Sequence, residues 1–112
     1  MSLKQTARIE ASTQTLTLVN IYEVEAERQD ELIRLLAEAT ESEISRQPGF
    51  VSVSLHRSLD RHQVVNYAQW ATKEDFDRFM HRPETRELLQ QFAALAKRVA
   101  PALYMVESVH AR

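Results

Sequence analysis

Val64-Val65-Asn66-Tyr67-Ala68-Gln69-Trp70 alternates strictly between two sets of side chains, the pattern of a β-strand. Val64, Asn66, Ala68 and Trp70 share one face, and Val65, Tyr67, Gln69 and Ala71 share the other. Neither face is charged. A strand with one wet face normally carries charge there, so both faces are expected to be covered. Asn66 and Trp70 then lie on one side of a buried strand, roughly 13 Å apart along it. A carboxamide offers donors and an acceptor, and an indole offers one N–H. Buried, each needs a partner, supplied either by the protein or by a ligand.

Upstream of this strand, Phe50 to Ser58 alternates as well, with Phe50, Ser52, Ser54 and His56 opposing Val51, Val53 and Leu55. The polar link Asp60-Arg61-His62-Gln63 joins the two strands as a hairpin. Thr15 to Val24 is a third alternating stretch, with Leu16, Leu18, Asn20, Tyr22 and Val24 on one face and Thr17, Val19 and Ile21 on the other. Between them, Glu25 to Gln47 carries Leu32, Ile33, Leu36, Ala39, Thr40 and Ile44 at helical spacing, after an acidic start suited to a helix N-terminus. Pro48-Gly49 ends that helix, and Gly49 is the chain's one glycine. Downstream, Thr72 caps a helix lined by Phe76, Phe79 and Met80. Arg82-Pro83 breaks it, and a further helix runs from Pro83 to Val99, ended by Pro101. Ala102 to Val109 is the last strand.

The order β-α-β-β-α-β, with the second helix broken in two, predicts an α+β ferredoxin-like split βαβ sandwich with a four-stranded antiparallel sheet. Helices would cover one face. Parity gathers Val19, Ile21, Val51, Val53, Leu55, Val65 and Leu103 on the other face, too apolar to remain wet. A homodimer packed sheet to sheet is therefore expected. One domain, residues 15–110, follows a flexible N-terminal segment, residues 1–14.

Composition excludes several functions. The 14 basic and 16 acidic residues are well mixed and sum to −2, so no basic stripe offers itself to nucleic acid. Without cysteine there is no disulfide, thiolate metal site or cysteine nucleophile, which fits a cytoplasmic protein. No apolar run approaches the ~20 residues of a membrane span. The four histidines have no ligand-like spacing, so no metal site is expected. No phosphate loop or nucleotide fingerprint is present.

Gln47-Pro48-Gly49-Phe50, the strand ending at His56-Arg57-Ser58, and above all Asn66-Tyr67-Ala68-Gln69-Trp70 resemble the antibiotic biosynthesis monooxygenase family, whose members are small dimeric α/β barrels. The likeness spans about residues 15 to 110 and is similar to the cofactor-independent, quinone-forming branch. In that branch an Asn and a Trp four residues later are catalytic; they match Asn66 and Trp70, and a His ten residues before the Asn matches His56. The chain departs from the branch at Phe76, where the branch has a tyrosine, and near Leu89, where it has an arginine; Arg86 lies one turn earlier. Haem-degrading members carry an Asn, a Trp and a His on the last helix. Asn20 and Trp70 match the first two, but the helix from Pro83 holds no histidine.

The resemblance implies a monooxygenase that needs no cofactor and takes an aromatic small-molecule substrate and dioxygen. Asn66 and Trp70 would stabilise a developing oxyanion, with His56 the candidate general base. Tyr22, Phe76, Phe79, Met80, Arg86 and Phe92 are the candidate substrate-binding residues. The alternative is a dimeric small-molecule-binding or stress-response module without turnover, in which Asn66 bridges backbone groups and Trp70 fills the core.

Overall fold

A computed structural model describes residues 3–11 and 13–112. Four strands, β1 (Leu16–Glu23), β2 (Phe50–Arg57), β3 (Gln63–Trp70) and β4 (Arg98–Met105), form one antiparallel sheet in the order β2-β3-β1-β4. Helices α1 (Gln29–Ser42), α2 (Lys73–Met80) and α3 (Pro83–Ala94) pack against the sheet. This is the expected ferredoxin-like arrangement. The long first helix is shorter than its periodicity suggested, because 3-10 turns at Ala26–Arg28 and Ile44–Arg46 flank α1. Among the described residues, no helix is long and apolar enough to cross a membrane. The expected lead-in, residues 1–14, falls partly outside the described residues; its described part carries no helix or strand.

The core lies between the sheet and the helices. Leu16, Tyr22, Val24 and Val64 from the sheet meet Leu32 and Leu36 of α1, Phe76 and Phe79 of α2, and Phe92 of α3. Two polar devices fix the elements around it. Gln29, 1% exposed, donates from Nε2 to the carbonyls of Ser58 (3.1 Å) and Gln63 (2.9 Å), pinning the β2–β3 hairpin to the start of α1. Thr72 caps α2: its Oγ1 accepts from the Asp75 N–H at 3.1 Å and donates to the Asp75 carboxylate at 2.9 Å. Gly49 turns into β2 with φ +82°, and its carbonyl accepts from the Ala71 N–H at 2.7 Å. Glycine is required there twice over, by the positive φ and because a Cβ would run into the Asp75 side chain.

Two expectations fail, each for a reason in the backbone. The strand after Phe50 carries a β-bulge: Phe50 pairs with Trp70, but Ser52 pairs with Gln69. One extra residue, Val51, inverts the parity of everything beyond it. Val53 and Leu55, expected on the outer face, are opposite Ala68 and Asn66 and turn toward the helices, while Ser52, Ser54 and His56 move outward. The second failure is at the C-terminal end. α3 stops at Ala94, and Arg98 to Met105 pairs along β1 from Glu23 to Leu16. Pairing with the open edge of β1 outweighs the helical spacing of Leu95, Ala96 and Val99. Pro101 therefore lies inside β4 opposite Asn20; an edge strand tolerates it because one side of its backbone has no ladder to complete. The same register sets Leu103 opposite Leu18, on the helix side.

Candidate active site

β1 and β3 are neighbours, so their inward residues interleave in a single patch. Asn20 pairs directly with Asn66, Leu18 with Ala68, and Leu16 with Trp70. Above this patch α2 and α3 do not close on the sheet. They leave a cavity of ≈ 250 Å³ bordered by Asn20, Tyr22, Asn66 and Trp70 from the sheet, Phe76, Phe79 and Met80 from α2, and Leu89 and Phe92 from α3. An apolar void of about 150 Å³ holds a single benzene ring, so this one has room for more than one ring. Its exposed lining residues, Met80, Ala93 and Pro101, mark a mouth between the helices and β4. A half-buried ion pair from Arg82 to Glu43, at 3.2 Å, ties the α2–α3 break to the segment carrying Ile44, another wall residue.

Trp70 is 2% exposed and held on three sides. Its ring stacks on Phe79 with centroids 4.7 Å apart and meets Phe50 and Phe76 edge-on at 5.9 and 6.2 Å. Phe76, at which the chain departs from the tyrosine of the branch it resembles, thus serves as an aromatic wall.

The polar end of the cavity is built from three residues. Asn20 Nδ2 donates to the Tyr22 hydroxyl at 3.2 Å. Asn20 Oδ1 and Asn66 Oδ1 are both buried and accept no hydrogen bond from the described residues. Buried polar atoms without partners are uncommon in folded proteins and costly. Two of them, on directly paired residues, face one void. The strand pattern placed both side chains on inward faces but assigned Asn20 no role, because the pairing of β1 with β3 is a long-range fact.

Burial pushes the Tyr22 phenol up to about 12, so it stays a neutral O–H donor across the physiological range. Linkage follows with a definite sign. The folded pKa lies above the unfolded value, so the contribution to stability is intact below about pH 10 and is lost as pH rises toward 12. Tyr22→Phe removes this term. Relative to wild type, the variant is expected to gain about 2 kcal/mol between about pH 8 and pH 11.5, read from urea midpoints. Parallel pH profiles would show that Tyr22 ionises freely in the folded state.

Of the other sequence candidates, Tyr22, Phe76, Phe79, Met80, Phe92, Asn66 and Trp70 come together around the cavity. His56 and Arg86 do not. His56 pairs with Val65 and lies exposed on the outer face, moved there by the bulge at Val51. Arg86 is exposed on α3, whose inward positions are Thr85, Leu89 and Phe92. Among the described residues, the lining holds no imidazole or carboxylate. It offers amides, a phenol and an indole, a set suited to hydrogen-bonding an oxygenated arene rather than to gripping a metal ion.

Residues 15–91 match the family described as antibiotic biosynthesis monooxygenase. The chain is 49% identical over 75 residues to tetracenomycin-F1 monooxygenase of Streptomyces glaucescens, a match covering 67% of this chain and 66% of that relative, just under two thirds of its length. Among solved structures, a point mutant of SnoaB, a cofactor-independent oxygenase from Streptomyces nogalater, superposes with a TM-score of 0.78 at 24% identity, covering 87% of this chain and 97% of that one. A monooxygenase from the gene ActVA-Orf6 of Streptomyces coelicolor, in complex with nanaomycin D, gives a TM-score of 0.78 at 23% identity, covering 89% and 93%. At those identities the two structures speak for the fold.

Proposed function

The chain belongs to the antibiotic biosynthesis monooxygenase family, and we propose that it is a cofactor-independent monooxygenase oxidising a polycyclic or quinol-like phenol to a quinone with dioxygen. The observation that carries this reading is the Asn66 carboxamide, its oxygen buried and unpartnered among the described residues, beside Trp70 in a cavity walled by aromatic residues. The names of the relative and of the two solved structures agree with it.

The substrate supplies the electrons. The phenol ionises, its proton leaving to water at the mouth, since the described lining holds no base. The Asn66 N–H, the Trp70 N–H and the neutral Tyr22 O–H are the preorganised donors for the resulting oxyanion. One electron passes to dioxygen, and the two radicals combine at an activated ring carbon that bears one hydrogen. The resulting peroxide takes up a proton from water at the mouth and collapses to a carbonyl. One oxygen atom stays in the quinone and the other leaves as water with the ring hydrogen and that proton. The aromatic walls exclude bulk water from this step.

The test is oxygen uptake with anthrone, in chelator-treated buffer with no added cofactor. The expected result is one dioxygen consumed per quinone formed, above the rate of uncatalysed oxidation. Tight binding with no uptake would instead favour a binding module without turnover.

The same reading includes a homodimer packed sheet to sheet. After the bulge is accounted for, the outer face still carries Val19, Ile21, Val65 and Tyr67, all half-buried, and Tyr104, 52% exposed. A charge set among them, Val65→Arg, is expected to convert a dimer to a monomer by light scattering. An unchanged mass would remove this face from the interface.

A further inference from the structure

The donors in the cavity are accounted for by the proposed oxidation, but the two acceptors are not. Asn20 Oδ1 and Asn66 Oδ1 are buried, lack partners among the described residues, and belong to residues paired across β1 and β3. Side chains on directly paired strand residues start about 5 Å apart. The Asn20 carboxamide is held by its donation to Tyr22 at 3.2 Å, which keeps Nδ2 engaged and leaves Oδ1 free. Apart from the Tyr22 hydroxyl, the lining beside the pair is apolar: Leu18, Ala68, Val99 and Pro101 offer no side-chain donor that could satisfy it.

We propose that Asn20 is a specificity-determining residue: with Asn66 it forms a two-acceptor subsite that receives the hydroxyl protons of a 1,3-dihydroxyarene edge. The proposal rests on the reading of the cavity as an aromatic-substrate site. Two hydroxyls on ring carbons once removed from each other point outward at a spacing that suits two carboxamide oxygens on paired residues. A monohydroxy arene satisfies one acceptor and leaves the other orphaned, which is where discrimination is strongest. Oxidation turns one of the two hydroxyls into a carbonyl, so the hydroxyquinone brings one donor and one acceptor to the acceptor pair where the arene brought two donors. The subsite therefore holds the reduced arene and releases the oxidised one, so the polarity of the pocket favours product departure.

The test is calorimetric titration of the whole chain under anaerobic conditions, where no turnover intervenes. The ligands are 1,3-dihydroxynaphthalene, 2-naphthol and 1,4-naphthoquinone. The wild type is expected to bind the diol at least about tenfold more tightly than 2-naphthol, and the quinone most weakly of the three. Asn20→Leu is expected to bring diol and 2-naphthol within about twofold of each other, chiefly by weakening the diol. A wild-type ratio below about twofold, a ratio that survives Asn20→Leu, or no binding of either arene would overturn the proposal. The wild-type ratio stands as a test even if the variant does not fold. Selective diol binding without oxygen uptake from anthrone would sink the oxygenase reading alone; uptake without selectivity would sink the subsite alone.

Discussion

Asn66→Leu is expected to lower turnover of an anthrone-type substrate by about 100-fold while leaving the protein as stable as wild type or more so, by up to about 1–2 kcal/mol. The two halves of this result have one cause. The Asn66 oxygen is buried without a hydrogen bond from the described residues, so in the ligand-free protein it is a liability, and an apolar side chain of similar shape removes that liability. On the proposed reading, the same carboxamide meets an oxygen that is gaining negative charge in the transition state, and its loss is felt there. A residue that merely bridged backbone groups would behave the opposite way. Its replacement would cost about 1–3 kcal/mol and leave any activity of the folded fraction intact. Turnover with a thermal melt on the same preparation separates the two.

Trp70→Ala is expected to cost about 3–5 kcal/mol, a large share of the roughly 5–15 kcal/mol that holds a domain of this kind together. The ring is 2% exposed, stacks on Phe79 at 4.7 Å and touches Phe50 and Phe76 edge-on, so β3, the start of β2 and α2 all lose a neighbour. The adjoining cavity would enlarge instead of collapsing, which places the cost toward the upper end. Trp70→Phe keeps the aromatic packing and discards the N–H. Its melting temperature should fall by far less than that of Trp70→Ala, so a loss of turnover in that variant reports the missing donor. Equal destabilisation in both would contradict the packing account, because a phenyl ring would then hold no more of the core together than a methyl group.

What could be read from the sequence depended on whether a strand ran without interruption. β1 and β3 alternate cleanly from end to end, so the inward positions of Tyr22, Asn66 and Trp70 followed from parity. β2 breaks step at Val51, an ordinary strand residue with no glycine to announce a bulge, and so His56 was assigned to the wrong side. Resemblance could not correct this, because it matches positions along the chain and not the face to which each side chain turns. The break between α2 and α3 was legible because Pro83 cannot continue a helix. The start of β4 was not, since Leu95, Ala96 and Val99 prolong a helical stripe that only the open edge of β1 overrides. The Asn20–Asn66 pairing was beyond the sequence for the same reason: strands about 45 residues apart meet in a register set by everything between them.

The exchange of His56 for a cavity without a base has a chemical consequence. On the proposed reading, with Tyr22 held neutral and no imidazole or carboxylate in the described lining, the site would favour substrates that surrender a proton readily. An electron-rich, polyhydroxylated arene meets that condition better than a simple phenol.

Trp70 is the chain's single tryptophan, and it borders the cavity. Its fluorescence therefore reports directly on whether an arene enters. An anaerobic titration with 1,3-dihydroxynaphthalene should give saturable quenching, with a half-point shifted to higher concentration in Asn66→Leu. Emission that stays unchanged, or declines only linearly as in simple collisional quenching, would contradict the assignment of this cavity as the substrate site.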